Sequence, residues 1–469
     1  MPTPSFRTAG EAHIAAQFRA FQPTPHVTAA MVGISRWDWV AVPEGTSAAQ
    51  ALAVMRQHQF DVLPLTTPNG QHVTGYYHTA RPGDFEAQPT HVAKLDKQHF
   101  LYYQTEVRDL LSLLAKQERE AAAAHAPFYF LTEGPGKVVG MVSEINLHSR
   151  ECYQYLYAQL VALELQVSRL LQAALPNEET LYHLTQVLHQ HAEASGFGRA
   201  TKKNDLQKAL EWYRADQNRG KQAPLTSYLG LGPLLALVRL TGLHSFLGFA
   251  ADALDEFDQK AHTVVSIRNR VAHPVKGYPG KGMLIKDMWS TLETAEQLLY
   301  ALQGVLQPEP GSSRPLVGQY FTSQFQCAAG SSFLRVEPGK IVPAHPLVQA
   351  HGRVAYLTAH NPDNVRLTDV ANRERHAQLL AELEQRGIAW QPAYGRACPA
   401  VGDAEELARQ AQAGFWREDG VWLLGTTRRL AQAIGKQFGQ RAVVYAEAGG
   451  VAELLKGISP GSGPRAQVP

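Results

Sequence analysis

The chain has 469 residues, of which 45% are hydrophobic and 18% charged, with 44 Lys+Arg against 42 Asp+Glu. That composition excludes a disordered chain, and the length asks for about two to four domains. The balanced charge excludes a generally basic surface, so any RNA contact has to come from a local patch.

The cysteines Cys152, Cys327 and Cys398 stand far apart and form no C-x-x-C spacing. This argues against a disulfide framework or a cysteine-rich zinc site and fits a reducing cytoplasm. The start, MPTPSFRTAGEAHIAAQF, has no basic segment followed by an apolar run, so no secretory signal is expected. The most apolar stretch, Leu229 to Leu254, is interrupted by Arg239 and His244, which predicts no membrane span. The expectation is a cytoplasmic protein.

The first 150 residues carry a degenerate repeat. A short apolar strand at Val40–Val42 precedes Pro43-Glu44-Gly45-Thr46-Ser47, and an amphipathic helix through Ala51, Leu52 and Met55 follows. Two strands come next, Val62–Leu65 and Val73–Tyr76, joined by a Pro68-Asn69-Gly70 turn. The second copy reads Phe100–Tyr102, Thr105, a helix through Val107, Leu110, Leu111 and Leu114, then strands at Phe128–Leu131 and Val138–Ser143.

Strand, helix, strand, strand, twice over, with Thr after the first strand and a Gly-x-Val-Ser ending, resembles a pair of CBS domains across residues 27–150. The resemblance implies an α+β sensor that binds an adenine nucleotide through Thr46, Thr105, Ser143 and Asn146. Asn146 stands where the family usually has an aspartate for the ribose hydroxyls, and an amide can still hydrogen-bond a hydroxyl. A pair that only dimerises is the other reading of the same residues.

From Arg150 the periodicity turns helical. Leu156, Leu160, Leu163, Val167, Leu170 and Leu171 recur at three- and four-residue steps and predict a long helix leaving the second repeat directly. Such a helix can transmit a shift in the sensor to the region beyond it. Further helices are predicted near 178–192, 203–215, 232–241, 251–273 and 286–305, so 151–306 reads as an all-α bundle.

Within the helix from Ala251 the apolar stripe is Leu254, Phe257, Ala261, Val264, Val265, Val271 and Ala272, and Arg268 falls at its centre. Asn269 and His273 are four apart on the edge of that face, and Pro274 ends the helix, leaving the imidazole at the negative end of the helix dipole. A histidine can move the proton of a ribose 2′-hydroxyl or of the leaving oxygen, and an arginine fork can stabilise charge on the phosphorus centre. The structural alternative makes Arg268 a buried ion-pair residue, with Glu164, and His273 a helix cap.

Arg-Asn-x-x-x-His at a helix end of an all-α region resembles the motif of the HEPN superfamily. That resemblance implies a metal-independent endoribonuclease with Arg268, Asn269 and His273 as its catalytic residues, no cofactor for cleavage and no bound metal. It also implies RNA as substrate and a homodimer that brings two motifs together, in phage defence or stress response. Arg270, Lys276 and Lys281 lie near the motif as candidate RNA-binding cations. A non-catalytic nucleotide- or RNA-binding regulator, with the bundle as dimerisation scaffold, is the competing reading.

Residues 307–315, QPEPGSSRP, read as a linker, and 459–469 as a disordered tail. Between them, 316–458 alternate predicted strands (Val354–Thr358, Val421–Leu424, Ala442–Tyr445) with helices at Asp369–Arg386 and Arg428–Phe438, which predicts an α/β domain. Thr358-Ala359-His360-Asn361-Pro362, Asn372, Gly395, Trp416-x-Glu418 and Phe438-Gly439-Gln440 resemble a bacterial domain family of unknown function. Asn361 and Glu418, both polar and at strand ends, are its ligand candidates, with loop anchoring as the alternative. The predicted fold class is thus multidomain: an α+β CBS-like pair, an all-α HEPN-like helical bundle and an α/β C-terminal domain.

Overall fold

In the computed structural model the described residues are 26–79, 97–120, 128–191, 203–272, 284–307, 323–362, 367–397 and 417–457, less 71, 135–136 and 330–331, with isolated positions at 86, 89–92, 95, 315 and 317. They fall into two compact units. One takes in residues up to Ala162 together with Ser266–Glu296, and the other takes in Leu163–Val265 and the residues from Gln297 onward.

In the first unit a short helix, α1 (Ala29–Val32), and the two-residue strand β1 (Ile34–Ser35) come first. The first repeat is β2 (Val42–Pro43), α2 (Ala48–His58), β3 (Val62–Thr66) and β4 (Val73–His78). The second, preceded by β5 (Thr90–Val92), is β6 (Phe100–Tyr102), α3 (Val107–Glu120), β7 (Phe128–Gly134) and β8 (Lys137–Ser143). Helix α2 starts where the sequence supplies a capping box, with Ser47 and Gln50 satisfying one another's backbone N–H groups.

The two copies match in detail. In each, the first strand pairs parallel with the second and the second antiparallel with the third, with a register shift at Leu65/Thr66 and again at Leu131/Thr132. Each repeat also completes the other's sheet. The orders are β2-β3-β4-β5 and β1-β8-β7-β6, so β1, which leads into the first repeat, pairs with β8 of the second, and β5, which leads into the second, pairs with β4 of the first.

The sheets share a core of Val62 and Tyr76 from one and Phe128, Phe130, Val138 and Met141 from the other. The Tyr76 and Phe128 rings meet edge-on at 4.7 Å.

Helix α4 (Arg150–Ala174) starts one 3₁₀ turn after β8, and α5 (Glu178–His191), α6 (Lys203–Asn218), α7 (Leu231–Leu240), α8 (Leu254–Ala272) and α9 (Ile285–Leu306) follow. The helices predicted between 150 and 306 are all present, and no strand occurs among the described residues of that span. The first half of α9 is fastened to α3. Arg108 Nε and Nη2 reach the two Glu296 carboxylate oxygens at 2.7 and 2.8 Å, and Lys286 N donates to Glu118 at 2.9 Å.

The C-terminal elements are β9 (Ser323–Ala329), β10 (Ser332–Val336), α10 (Pro346–His351), β11 (Arg353–Thr358), α11 (Asp369–Gln385), β12 (Trp390–Ala397), β13 (Arg417–Leu424), α12 (Arg428–Gln437), β14 (Ala442–Glu447) and β15 (Glu453–Lys456). They form a seven-stranded sheet, β10-β9-β12-β13-β11-β14-β15, in which every described pairing is antiparallel.

This corrects the α/β expectation: the domain is an antiparallel sheet with helices. The alternation of strand and helix indicates element order but not strand direction, and β12 was hidden by Pro392 and Gly395. Pro392 is tolerated because pairing with β9 begins only at Tyr394, so the missing N–H breaks no ladder bond there.

Helices α11 and α12 cover one face through Leu379, Leu383, Ala431 and Ile434 on Ala355, Leu357, Val421, Leu423 and Val443. Residues 241–251 close the β15 edge, where Thr241 O accepts from Leu454 N at 3.0 Å and Ser245 Oγ from Lys456 N at 2.9 Å.

Candidate functional site

Helix α8 carries Asp255 and Glu256 in its first turn and Arg270 in its last, as the helix dipole favours. Of the expected stripe Phe257, Ala261, Val264, Val265 and Val271 are buried, Leu254 and Ala272 are half-buried, and Ile267 is buried as well. Arg268 sits in that stripe half-buried, with Nε fully enclosed, and its Nη1 donates to Asn269 Oδ1 at 3.4 Å. Asn269 and Arg270 are exposed. His273, Lys276 and Lys281 lie outside the described residues.

Two groups on this side of the fold carry no signal in the sequence. His148 Nδ1 and the Tyr153 hydroxyl are 2.8 Å apart. Burial pushes the Tyr153 phenol up to about 12, with the nearby Arg270 guanidinium acting in the opposite sense. Burial also lowers His148, favouring its neutral form. The phenol, paired with an imidazole whose neutral form burial favours, therefore lies near the cation that follows Asn269. The neighbouring Cys152 thiol, pushed up to about 12 by burial, is not a nucleophile at neutral pH.

The nucleotide candidates occupy equivalent places in the two repeats. Thr46 N donates to Pro43 O at 3.1 Å and Thr105 N to Tyr102 O at 2.9 Å, each closing the turn between first strand and helix. Thr46 Oγ1 donates to Pro43 O at 2.7 Å, so its hydroxyl proton is already engaged.

Ser143 and Asn146 come together in a capping box. Asn146 Oδ1 accepts from Ser143 N at 2.8 Å and from Ser143 Oγ at 3.0 Å. The Asn146 oxygen is thereby occupied, and what it can offer a ribose hydroxyl is its NH₂ group. The fit to a nucleoside is an NH₂ group with two donors where an aspartate would supply acceptors.

The structure brings the other sequence-derived pair into contact. Asn361 follows β11 and Glu418 lies near the start of the neighbouring strand β13, and Asn361 Nδ2 donates to Glu418 Oε1 at 2.9 Å. Asn361 is held in the left-handed region, at φ 44°. Its N–H donates to Asn372 Oδ1 at 3.0 Å, while its Oδ1 accepts from Leu367 N at 3.0 Å and Asn372 Nδ2 at 3.1 Å.

Glu418 is positioned from behind by Tyr356, whose hydroxyl donates to the Glu418 carbonyl at 3.0 Å. The Tyr356 ring passes over Gly395 and Gly420, where a Cβ would approach its hydroxyl to 3.1 and 2.7 Å. At Gly420 a Cβ would also meet the Leu357 carbonyl at 2.6 Å, and at Gly395 the Phe325 ring at 3.1 Å, so both positions are closed to a side chain.

Burial raises the Glu418 carboxyl above its ordinary value, only partly opposed by the Asn361 hydrogen bond. Beside this cluster the His360 and His376 rings meet edge-on at 5.9 Å, both lowered chiefly by burial. His376 Nδ1 is enclosed with no hydrogen-bond partner among the described residues. Burial thus favours the protonated form of the carboxyl and the neutral form of both imidazoles at this end of the sheet. The histidines were not singled out in the sequence, because one lies on a loop and the other on a helix.

Residues 357–443, which contain this cluster, match the model of a family described as a protein of unknown function (DUF3293). The chain matches no curated protein. Its N-terminal part, about 30% of the chain, resembles solved CBS-domain structures. One is the CBS domain of a bacterial CNNM/CorC-family Mg2+ transporter in complex with the inhibitor IGN95a, at 15% identity over 30% of this chain and 83% of that one, with a TM-score of 0.20. The same kind of domain in complex with ATP matches at 14% identity over 30% and 96% of the two chains, TM-score 0.20. A haemolysin-like CBS protein of Oenococcus oeni matches at 14% over 29% and 94%, TM-score 0.20. Among the described residues no helix is long and apolar enough to cross a membrane.

Proposed function

We propose that the chain is a metal-independent endoribonuclease of the HEPN kind, with Arg268, Asn269 and His273 as its cleavage residues. We propose further that it acts as a homodimer, under the control of an adenine nucleotide at the CBS-like pair, in phage defence or stress response.

The observation that carries this reading is the setting of Arg268. A guanidinium rooted in the buried stripe of α8, with its outer nitrogen against Asn269, is pre-oriented at the surface instead of sweeping freely through water. In the reaction a ribose 2′-oxygen attacks the adjacent phosphorus and the 5′-oxygen leaves. His273 moves the proton taken from the 2′-hydroxyl or given to the leaving oxygen, and Arg268 stabilises the added negative charge. Arg270 serves to hold a neighbouring phosphate. A nucleotide at the sensor supplies only binding energy, and the Arg108–Glu296 tie between α3 and α9 gives a shift of the sensor a physical route to the helices.

The test is incubation of the purified chain with end-labelled RNA in EDTA, with and without ATP. Arg268→Ala and His273→Ala are each expected to lower the cleavage rate by roughly 10²–10⁴-fold while the thermal transition stays in place. Absence of cutting under both conditions overturns the enzyme reading. ATP binding without cleavage would leave the chain as a non-catalytic nucleotide-binding regulator.

A further inference from the structure

The second unit contains a cleft of about 840 Å³, at the upper end of the range typical of ligand sites. One wall is the last part of α9, where Gln297, Tyr300, Ala301, Gly304 and Val305 recur at steps of three and four residues and so share one helix face. Phe246 and Leu247, from the segment that closes the β15 edge, and Val317 add an apolar floor. Tyr300 and Gly304 are exposed, and a Cβ at Gly304 would meet nothing within 4 Å, so this wall faces open space. The polar side chains among the described lining residues are the amides of Gln297, Gln303 and Gln307 and the cations of Arg441 and Lys456. Aromatic and aliphatic walls with a few polar groups set among them suit a largely apolar ligand.

Lys456 is the last residue of β15. Its neighbour Leu455 belongs to the core under α11 and α12, so strand alternation turns the Lys456 side chain to the other face of the sheet, and Lys456 lines the cleft. Lys456 N donates to Ser245 Oγ at 2.9 Å and Lys456 O accepts from Gln432 Nε2 at 2.6 Å, which fixes the backbone that bears the amine. Burial lowers the ammonium and favours the neutral amine, and the positive charge of Arg441 adds to this, with no opposing carboxylate among the described residues. Arg441 has an interaction of its own besides, so it enters as a nearby charge and not as a second ligand group. A lysine amine desolvated against apolar walls and beside another cation is a nucleophile at a pH where exposed lysines are ammonium ions.

We propose that this cleft binds an apolar aldehyde or ketone and that Lys456 captures it reversibly as an imine. The Nζ lone pair adds to the carbonyl carbon, and the carbonyl π pair moves to oxygen. The two protons of the neutral amine leave with that oxygen as water and a C=N bond remains, so nothing is oxidised or reduced. The apolar body of the ligand packs against Phe246, Leu247 and Val305, and a planar part of it takes the Tyr300 ring. The amides of α9 are placed to bond a polar substituent. This inference draws on no residue of the cleavage reading.

The experiment treats the full chain with 2-naphthaldehyde and cyanoborohydride, which reduces an imine to a stable secondary amine, and reads the modified lysines by peptide mass spectrometry at early times. Lys456 is expected to react about ten-fold or more faster than the exposed Lys208 and Lys436 at neutral pH, through its neutral amine and its nearness to the bound carbonyl. Gly304→Phe puts a ring into the open space of the cleft and replaces a glycine that weakens the helix, so folding is not at risk. It should slow Lys456 by about ten-fold and leave Lys208 and Lys436 unchanged. Formaldehyde, too small to use the apolar walls, should prefer Lys456 much less than naphthaldehyde does. Modification of Lys456 no faster than that of the exposed lysines overturns the proposal. Equal preference for Lys456 with the two aldehydes, or no effect of Gly304→Phe, would leave a reactive amine without a carbonyl site and overturn it as well.

Discussion

Arg108 and Glu296 form a two-pronged ion pair, with both carboxylate oxygens taken by the guanidinium at 2.7 and 2.8 Å, and the Arg108 guanidinium lies 5.5 Å from the Trp289 ring centroid. The pair fastens α3 of the second repeat to α9. Both side chains are partly open to solvent, so its strength is that of a good surface pair. Glu296→Gln is expected to destabilise the chain by about 1 kcal/mol in urea unfolding, and a double-mutant cycle with Arg108→Met should return a coupling of similar size. Additive single effects would show that the pair contributes nothing.

Asn361 gives a second prediction, from backbone and side chain together. Asn361→Ala loses the bonds to Glu418, Leu367 and Asn372 made by its side chain and must also hold alanine in the left-handed region. Asn361→Gly loses the same bonds without that strain. Both variants should be less stable than the parent, with the glycine form ahead of the alanine form by about 1 kcal/mol in thermal or urea unfolding. Equal stabilities would mean the positive φ is not maintained.

Glu418 links stability to pH. Its carboxyl is raised in the folded chain by burial, so the folded state holds a proton that the unfolded state has released. Stability therefore falls as the pH rises from the ordinary carboxylate value through the folded one. Glu418→Gln stays neutral and can still accept from Asn361. It should be more stable than the parent at pH 8 and no more stable at pH 4. A variant less stable at both would show that the carboxylate is a structural anchor.

His244 works in the opposite direction. It is fully buried in the second unit, and burial, with Arg239 and Arg428 adding to it, lowers the imidazole to about 4 from 6.5, against a hydrogen bond to the Ala251 carbonyl. The folded state binds fewer protons between those values. The stability present above pH 6.5 is lost as the pH falls towards 4, by about 3 kcal/mol in all. His244→Gln should remove this acid-sensitive part from urea midpoints measured between pH 7 and pH 5, whatever its effect at pH 7.

Much of this was legible in the residues. The two Thr turns and the helical steps from Leu156 to Leu171 are local patterns, and local patterns fix local structure. Arg268 in the stripe of α8 was legible for the same reason. The strands Ile34–Ser35 and Thr90–Val92 were not, since two or three residues carry no period. Asn361 and Glu418 were legible as polar residues at strand ends but not as partners, because their contact depends on the antiparallel placement of β11 beside β13. The nearness of Tyr153 and Arg270 comes from helix packing, on which sequence spacing is silent.

The exchange of β1 and β5 between the N-terminal repeats has a consequence for how that region comes apart. Since each sheet is closed by a strand that arrives on the other repeat's lead-in segment, neither can lose its edge without the other's chain path being disturbed, and the two should open as one cooperative step in hydrogen exchange. A single repeat cut from the chain would expose the edge of β4 or β8, because the strand that covers it belongs to the other repeat's lead-in, and such a fragment is expected to associate through that open edge in place of staying monomeric.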